Sequence, residues 1–440
     1  MLKQRKSRRV SLFPLVAATY FMVSGGPYGI EDIVRGSGYA GAILILLITP
    51  VIWSIPTALM VGELSSAIPE EGGFYIWVRR ALGPFWGFQE TWLSLASSVF
   101  DMAIYPTLFV AYLSQLFPGL DAGGRGLALG VAVVAVCASW NMAGAQQVGR
   151  SSLLFGILLL SPFAVIVVLA FLKTPAALPA THAAAHGSST LLVGILIAMW
   201  NYMGWDNAST IAGEVENPRR TYPLAMGITV AAVTVVYVLS VGAAWHAHID
   251  TETFATGGWA AVGRLLGGRW LEILVVVGGC ASTFGTFNSL VMSYSRLPLV
   301  LAEDKFLPRV FLKKTKSTGA PWVCILSCSV AWALSLGIGF RRLVELDIVL
   351  YGASLLLEFV ALVVLRIKEP ELARPFKVPG GLPVAILLGV APALLLGLSL
   401  VEGEKEQIAG MNVVVFALLI ALAGAISYWA STKIRNLRPA

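Results

Sequence analysis

Apolar runs of roughly membrane-crossing length follow one another from Ser11 to Ala430, separated by short polar segments. A run of about 20 apolar residues is what a helix needs to cross a bilayer. About twelve can be counted: Ser11 to about Arg35, 40–67, 83–118, 127–142, 148–172 and 191–212 in the first half, then 224–246, 271–301, 322–340, 343–365, 382–400 and 411–430. The third is long and carries Glu90, Asp101 and Pro106, and the tenth carries Glu358. The polar connection 250–268 predicts a short helix around 260–266, and Ile68-Pro-Glu-Glu-Gly-Gly-Phe-Tyr75 predicts a tight turn before an amphipathic stretch with Arg79 and Arg80.

Two of these runs are interrupted. Met22-Val-Ser-Gly-Gly-Pro-Tyr-Gly-Ile-Glu-Asp32 sets three glycines and a proline inside the first, and Met199-Trp-Asn-Tyr-Met-Gly-Trp-Asp-Asn-Ala-Ser-Thr210 interrupts the sixth. Glycine and proline weaken helical hydrogen bonding, and opened backbone at membrane depth is tolerated only where protein buries it or a cavity lies beside it. Paired breaks in corresponding positions of two halves point to the binding site of a secondary transporter. The competing reading is that the glycines only let helices pack closely.

Composition narrows the class. Hydrophobic residues make up 57% of the 440 and charged residues 12%, about half the charged share of a soluble domain. The chain therefore reads as an all-α polytopic membrane protein. The net charge of +7 comes from residues between the apolar runs and points to topology rather than to nucleic acid. With the N-terminus inside, 22 of the 31 Lys and Arg fall on the inner side, which predicts two cytoplasmic termini and an even number of spans. The basic start, Met1 to Arg9, lacks a small-residue cleavage site and reads as a cytoplasmic tail. Cys137, Cys280, Cys324 and Cys328 read as membrane-core residues, and His182 with His186 as part of a solvated loop; neither group predicts a metal, and no cofactor is expected.

Charge at membrane depth is costly and marks candidate chemistry. Glu31 and Asp32 follow the first break, Asp206 the second, and Asp101 lies mid-span one turn before Tyr105. Acids with little intramembrane base suit a cationic substrate, and one could instead carry a transported proton. Asp101 could also simply fix helix packing. Trp200, Trp205, Tyr28 and Tyr105 flank the breaks and offer cation–π faces. The N–H groups after the first break, from Gly26 to Ile30, suit a carboxylate, and carbonyls near Asn201 to Gly204 suit an ammonium. Glu63, Glu90 and Glu358 read as gating residues, the first two pairing with Arg79, Arg80 or Arg219 and the third with loop arginines. An enzyme would need a nucleophile–base pair or metal cluster in the membrane, and the four histidines all lie in or beside loops. A channel would show rings of repeated polar residues.

The segments Ser24-Gly-Gly-Pro-Tyr-Gly-Ile-Glu-Asp32, Pro69-Glu-Glu-Gly-Gly-Phe-Tyr75, Trp200 to Ser209, Gly213-Glu-Val-Glu-Asn-Pro-Arg-Arg220 and Arg374-Pro-Phe-Lys-Val-Pro379 resemble the amino acid–polyamine–organocation superfamily, in particular its plant-type L-type amino acid and polyamine uptake branch. The resemblance covers nearly the whole chain. It implies a LeuT-like five-plus-five inverted repeat, with residues 11–172 and 191–365 as the two repeats and two further helices over 380–431. Short cytoplasmic tails, 1–10 and 432–440, flank them. It implies alternating-access transport of polyamines or amino acids across the plasma membrane, cationic substrates favoured, with proton symport as the coupling. A broad amino acid carrier or exchanger is the alternative. In the wider superfamily the first break reads Gly-Ser-Gly, where this chain has Pro27-Tyr28-Gly29, so its carboxylate-binding backbone is shaped differently. By resemblance, Trp200 matches a residue that gates the substrate, and Asp206 an acid six positions on. The expected substrate contacts are therefore Gly25, Gly26, Tyr28, Gly29, Glu31, Asp101, Tyr105, Trp200, Asn201, Gly204, Trp205 and Asp206, with Asp206 and Asp101 as proton candidates. Ser282 and Thr283 sit where sodium ligands could come in this fold, and span five has no lysine midway. The expected partners are a small-molecule substrate, a coupling proton and the lipid bilayer, with no nucleic acid.

Overall fold

The computed structural model describes residues 10–70, 72–172, 188–403, 407–408 and 410–436. The predicted loop around His182 and His186 lies outside them, as do most of the two terminal tails. Helix α1 spans Leu12–Val23 and α2 Glu31–Thr49; the seven residues between them are the first break. Helix α2 kinks at Gly38 (φ 66°), then runs through a π turn at Pro50–Ser54 into α3, Ile55–Ala67. The short amphipathic α4 (Phe74–Leu82) leads into α5 (Pro84–Ser114), α6 (Arg125–Met142) and α7 (Ala145–Leu172).

The second half opens with α8, Ser188–Asn201, which breaks at 202–205 and resumes as a 3-10 helix over Asp206–Glu214. Then come α9 (Pro218–His246), α10 (Trp259–Gly267), α11 (Arg269–Tyr294), α12 (Arg296–Glu303), α13 (Trp322–Leu334), α14 (Phe340–Lys368), α15 (Gly381–Gly403) and α16 (Val413–Asn436). A two-stranded hairpin, Gln407–Ile408 with Met411–Asn412, precedes α16. Among the described residues nine helical stretches are long and apolar enough to span a bilayer, with α1 and α13 shorter. The expectation of about twelve counted runs of apolar sequence; the breaks cut two of them, and the π turn joins α2 to α3 without interruption.

Helices α5, α11 and α14 are the most enclosed, and α7, α15 and α16 lie outside them. The outer helices turn Leu154, Ile157, Leu387, Leu394, Leu422 and Ile426 outward, as lipid contact requires. Helix α14 packs along α5, and α11 along α5 and α7. The breaks in α1–α2 and α8 sit inside this frame. Val10 bridges Val215, and the Glu216 N–H donates to the Val10 carbonyl at 2.8 Å, so the start of α1 is tied to the end of the second broken helix.

Candidate functional site

Opened backbone in a bilayer must find partners in side chains, and here it does. In the first break Ser282 on α11 donates to the Gly25 carbonyl, Trp259 on α10 to that of Pro27 (2.7 Å), and Asn201 to that of Gly29 (3.3 Å). The Gly26 N–H reaches Ser24 Oγ at 3.0 Å, and Ser24 Oγ lies 2.7 Å from the Tyr237 hydroxyl. Tyr237 donates to the Asn201 carbonyl at 3.0 Å, which ties the two breaks together. In the second break the Gly204 N–H donates to the Tyr351 hydroxyl at 3.1 Å. Gly204 holds φ +86°, and a Cβ there would stand 2.5 Å from the Met22 carbonyl oxygen, so only glycine lets the breaks cross this closely.

Beside the crossing lies a cavity of ≈ 10 Å³, lined by Val23, Asp101, Tyr105, Trp200, Gly204, Tyr294, Asp347 and Tyr351 among others. That is room for about one water. Asp101 Oδ1 accepts from Tyr105 (3.0 Å) and Trp200 Nε1 (3.2 Å), and its Oδ2 from Tyr294 (3.4 Å). Asp347 Oδ1 accepts from Ser97 at 2.6 Å, while its Oδ2 is buried without a hydrogen-bond donor. Asp206 accepts from the Tyr351 hydroxyl and is 2% exposed. A second cavity of ≈ 20 Å³ continues past Trp200 and Asn201 toward Gly25 and Tyr28.

Asp101 and Asp347 are the upper of two acidic rungs between α5 and α14. Glu90 precedes Asp101 by eleven residues, and Glu358 follows Asp347 by eleven. Eleven residues are three helical turns, about 16 Å. The two helices run antiparallel, so the spacing sets a second pair of acids below the first. Glu90 accepts from Ser94 (2.8 Å) and Thr91 (3.1 Å). Both Glu358 oxygens are buried with no hydrogen-bond partner, and the charged groups acting on it are Asp206 and Glu90, both acids. Asp206 acts on members of both rungs.

Several expected contacts sit elsewhere. Tyr28 lines the second cavity, but its hydroxyl donates to the Val275 carbonyl (3.1 Å) and its ring packs edge-on against Tyr112 and Phe163. Trp205 is fully buried and donates to Tyr202. Glu31 accepts from the Gly29 N–H in the break just before its own helix. Ser282 is taken up by Gly25, and Thr283 by the Gly279 carbonyl at 2.9 Å. The gating pairs also differ from the expected ones. Glu63 binds Arg366 and Arg374 rather than Arg79, Arg80 or Arg219, because the chain after α14 folds under the end of α3. Glu90 and Glu358 lie too deep along α5 and α14 to meet loop arginines, and among the described residues neither is in an ion pair. Arg79 pairs with Asp304, and Arg80 forks onto Glu369 at 2.9 and 2.7 Å, which holds the Glu369 carboxyl below its ordinary range. The residues that sequence reasoning missed are Asp347, Tyr294, Tyr351 and Tyr237; the repeated eleven-residue spacing was the signal for the first. Among the described residues no three metal-binding side chains cluster, and the four cysteines are free.

The sequence profile of the amino acid permease family matches residues 16–428. A probable polyamine transporter of Arabidopsis thaliana is 34% identical over 416 residues, covering 94% of this chain and 83% of the relative. The polyamine transporter PUT1 of Oryza sativa subsp. japonica is 35% identical, with 94% and 78% covered. The aspartate-proton symporter of Bacillus subtilis (strain 168) is more distant, 26% identical over 85% and 76%. These are carriers and not enzymes, in keeping with two broken helices that meet at a buried polar cavity. The chain belongs to the amino acid permease family, within the amino acid–polyamine–organocation superfamily.

Proposed function

We propose that this carrier moves a small organic cation, a polyamine before a basic amino acid, across the plasma membrane by alternating access with proton coupling. Both termini face the cytoplasm, and the two breaks belong to inverted five-helix repeats. The observation that carries the substrate reading is the cavity wall: Asp101 and Asp347 both line it, and one Asp347 oxygen lacks a donor. An ammonium group supplies what that oxygen lacks, and Tyr105 with Trp200, ring centroids 6.1 Å apart, gives the alkyl chain aromatic faces. The plant relatives named as polyamine transporters support the same class.

Proton coupling is supported by the lower rung. A bare carboxylate buried among acids without a donor is strongly unfavourable, which makes Glu358 the proton carrier in this reading. The distant relative named as a proton symporter accords with that coupling. The test is competition for labelled putrescine uptake in proteoliposomes, at several pH values, by unlabelled putrescine, arginine and leucine. Putrescine should compete best and leucine least; equal competition by leucine would overturn the cationic reading.

A further inference from the structure

The positive end of a broken helix is where carriers of this architecture meet anionic substrate groups. In this chain a carboxylate of its own lies in the turn leading into that end. The Gly29 N–H, aimed into the first break, donates to Glu31 Oε2 at 2.6 Å, and the Tyr112 hydroxyl of α5 donates to Glu31 Oε1. Both oxygens have partners, and the residue is 1% exposed. Gly29 holds φ +101°, which turns its N–H back toward the residue two positions on. The Gly29 turn packs directly behind the cavity wall. A Cβ on Gly29 would stand 3.0 Å from the Trp200 ring, Asn201 holds the Gly29 carbonyl, and both Trp200 and Asn201 line the second cavity.

We propose that Glu31 is a built-in stand-in for a substrate carboxylate: it occupies the anion-binding end of the first broken helix and so selects ammonium-bearing substrates that lack an α-carboxylate. The proposal rests on the cationic reading of the cavity and sharpens it. A carboxylate of the substrate would meet a second carboxylate where it needs N–H donors, in a site whose remaining charged groups, Asp101, Asp347 and Asp206, are also acids. Like charges at close range in a dry site repel strongly, so an amino acid loses at the same point where its decarboxylated counterpart loses nothing.

Three substrate pairs differ only by that carboxylate: putrescine and ornithine, cadaverine and lysine, agmatine and arginine. Each is used to compete for labelled putrescine uptake by the full chain in proteoliposomes. The wild type should favour the amine of each pair at least tenfold. Glu31→Ala, which removes both the charge and the group in the turn, should narrow the gap at least tenfold by gaining the amino acid, whereas Glu31→Gln, which removes the charge but keeps an amide oxygen there, should narrow it less. Wild-type protein that accepts ornithine as readily as putrescine overturns the proposal, as does Glu31→Ala that discriminates like wild type. Glu31→Ser replaces the alanine variant if that does not fold, with the same reading. Failure of putrescine to enter at all would strike the cationic reading instead, which separates the two ideas.

Discussion

Removing the Glu63 carboxylate tests the largest buried charge cluster described at an end of the helices. Glu63 on α3 is fully buried and receives two of the three Arg366 nitrogens, Nε at 2.9 Å and Nη2, the Val378 N–H at 2.7 Å, and Arg374 Nε at 3.3 Å. The two arginines are 4% and 5% exposed. Glu63→Ala therefore leaves two cations and one N–H facing a void. Breaking a buried pair by deleting one partner costs about 3–5 kcal/mol, and an orphaned buried N–H alone about 1–3 kcal/mol, so the loss should lie near the upper end of the first range. Arg35 and Glu252 supply the control, since their side chains are 48% and 73% exposed, where a pair contributes about 0–1 kcal/mol. Equilibrium unfolding in mixed detergent micelles reads both variants. Glu63→Gln keeps the volume and loses the charge, so it should fall close to Glu63→Ala. If Glu63→Ala unfolds within 1 kcal/mol of wild type, by the yardstick for exposed pairs, the cluster does not hold α3 to the segment after α14 and the reasoning fails.

Two further outcomes are expected. Glu358→Gln should keep substrate-for-substrate exchange and lose accumulation driven by a pH gradient; with one proton coupled, a gradient of one pH unit supplies about 1.4 kcal/mol, a tenfold accumulation. Flux of entrapped pH dye and labelled substrate reads this, and an unchanged tenfold ratio in the variant would remove Glu358 from the proton path. Gly204→Ala sets a Cβ 2.5 Å from the Met22 carbonyl at a φ of +86°, and should abolish uptake, whereas Gly227→Ala in α9, with open space around it, should leave uptake within about twofold, inside the usual ±0.5 kcal/mol of a surface change. Equal uptake by the two variants would mean the breaks need not cross.

The breaks were legible because their chemistry is local. Gly26, Gly29 and Gly204 all have positive φ, and no other residue type occupies such backbone at so little strain. Asp101, Tyr105 and Trp200 were legible from charge and aromatic character at membrane depth. Asp347 was not, because it lies two turns into span ten beside Glu345 and reads as an acid near a helix end; only the antiparallel packing of α14 on α5 sets it against Asp101. Glu31 shows the opposite case, where the acid was found and its contact was not. Whether a carboxylate faces a cavity or turns back onto its own backbone depends on the φ of Gly29, which sequence leaves open. Glu63 pairs across 303 positions, and nothing local marks Arg366 as its partner rather than Arg79.

The number of buried acids itself constrains the cargo. Asp101, Asp347, Asp206, Glu90 and Glu358 are all buried in one region, and no described Lys or Arg side chain forms an ion pair with any of them. Each uncompensated charge there must be met by a proton or by a cation of the substrate. A basic amino acid carries two positive groups but returns one negative charge, and that charge has no free helix end to bind once Glu31 has filled it. A diamine carries two positive charges and returns none. On the coupling proposed above, the upper rung with Asp206 takes the two ammonium groups and the lower rung takes the proton, so the two kinds of positive charge neutralise different rungs.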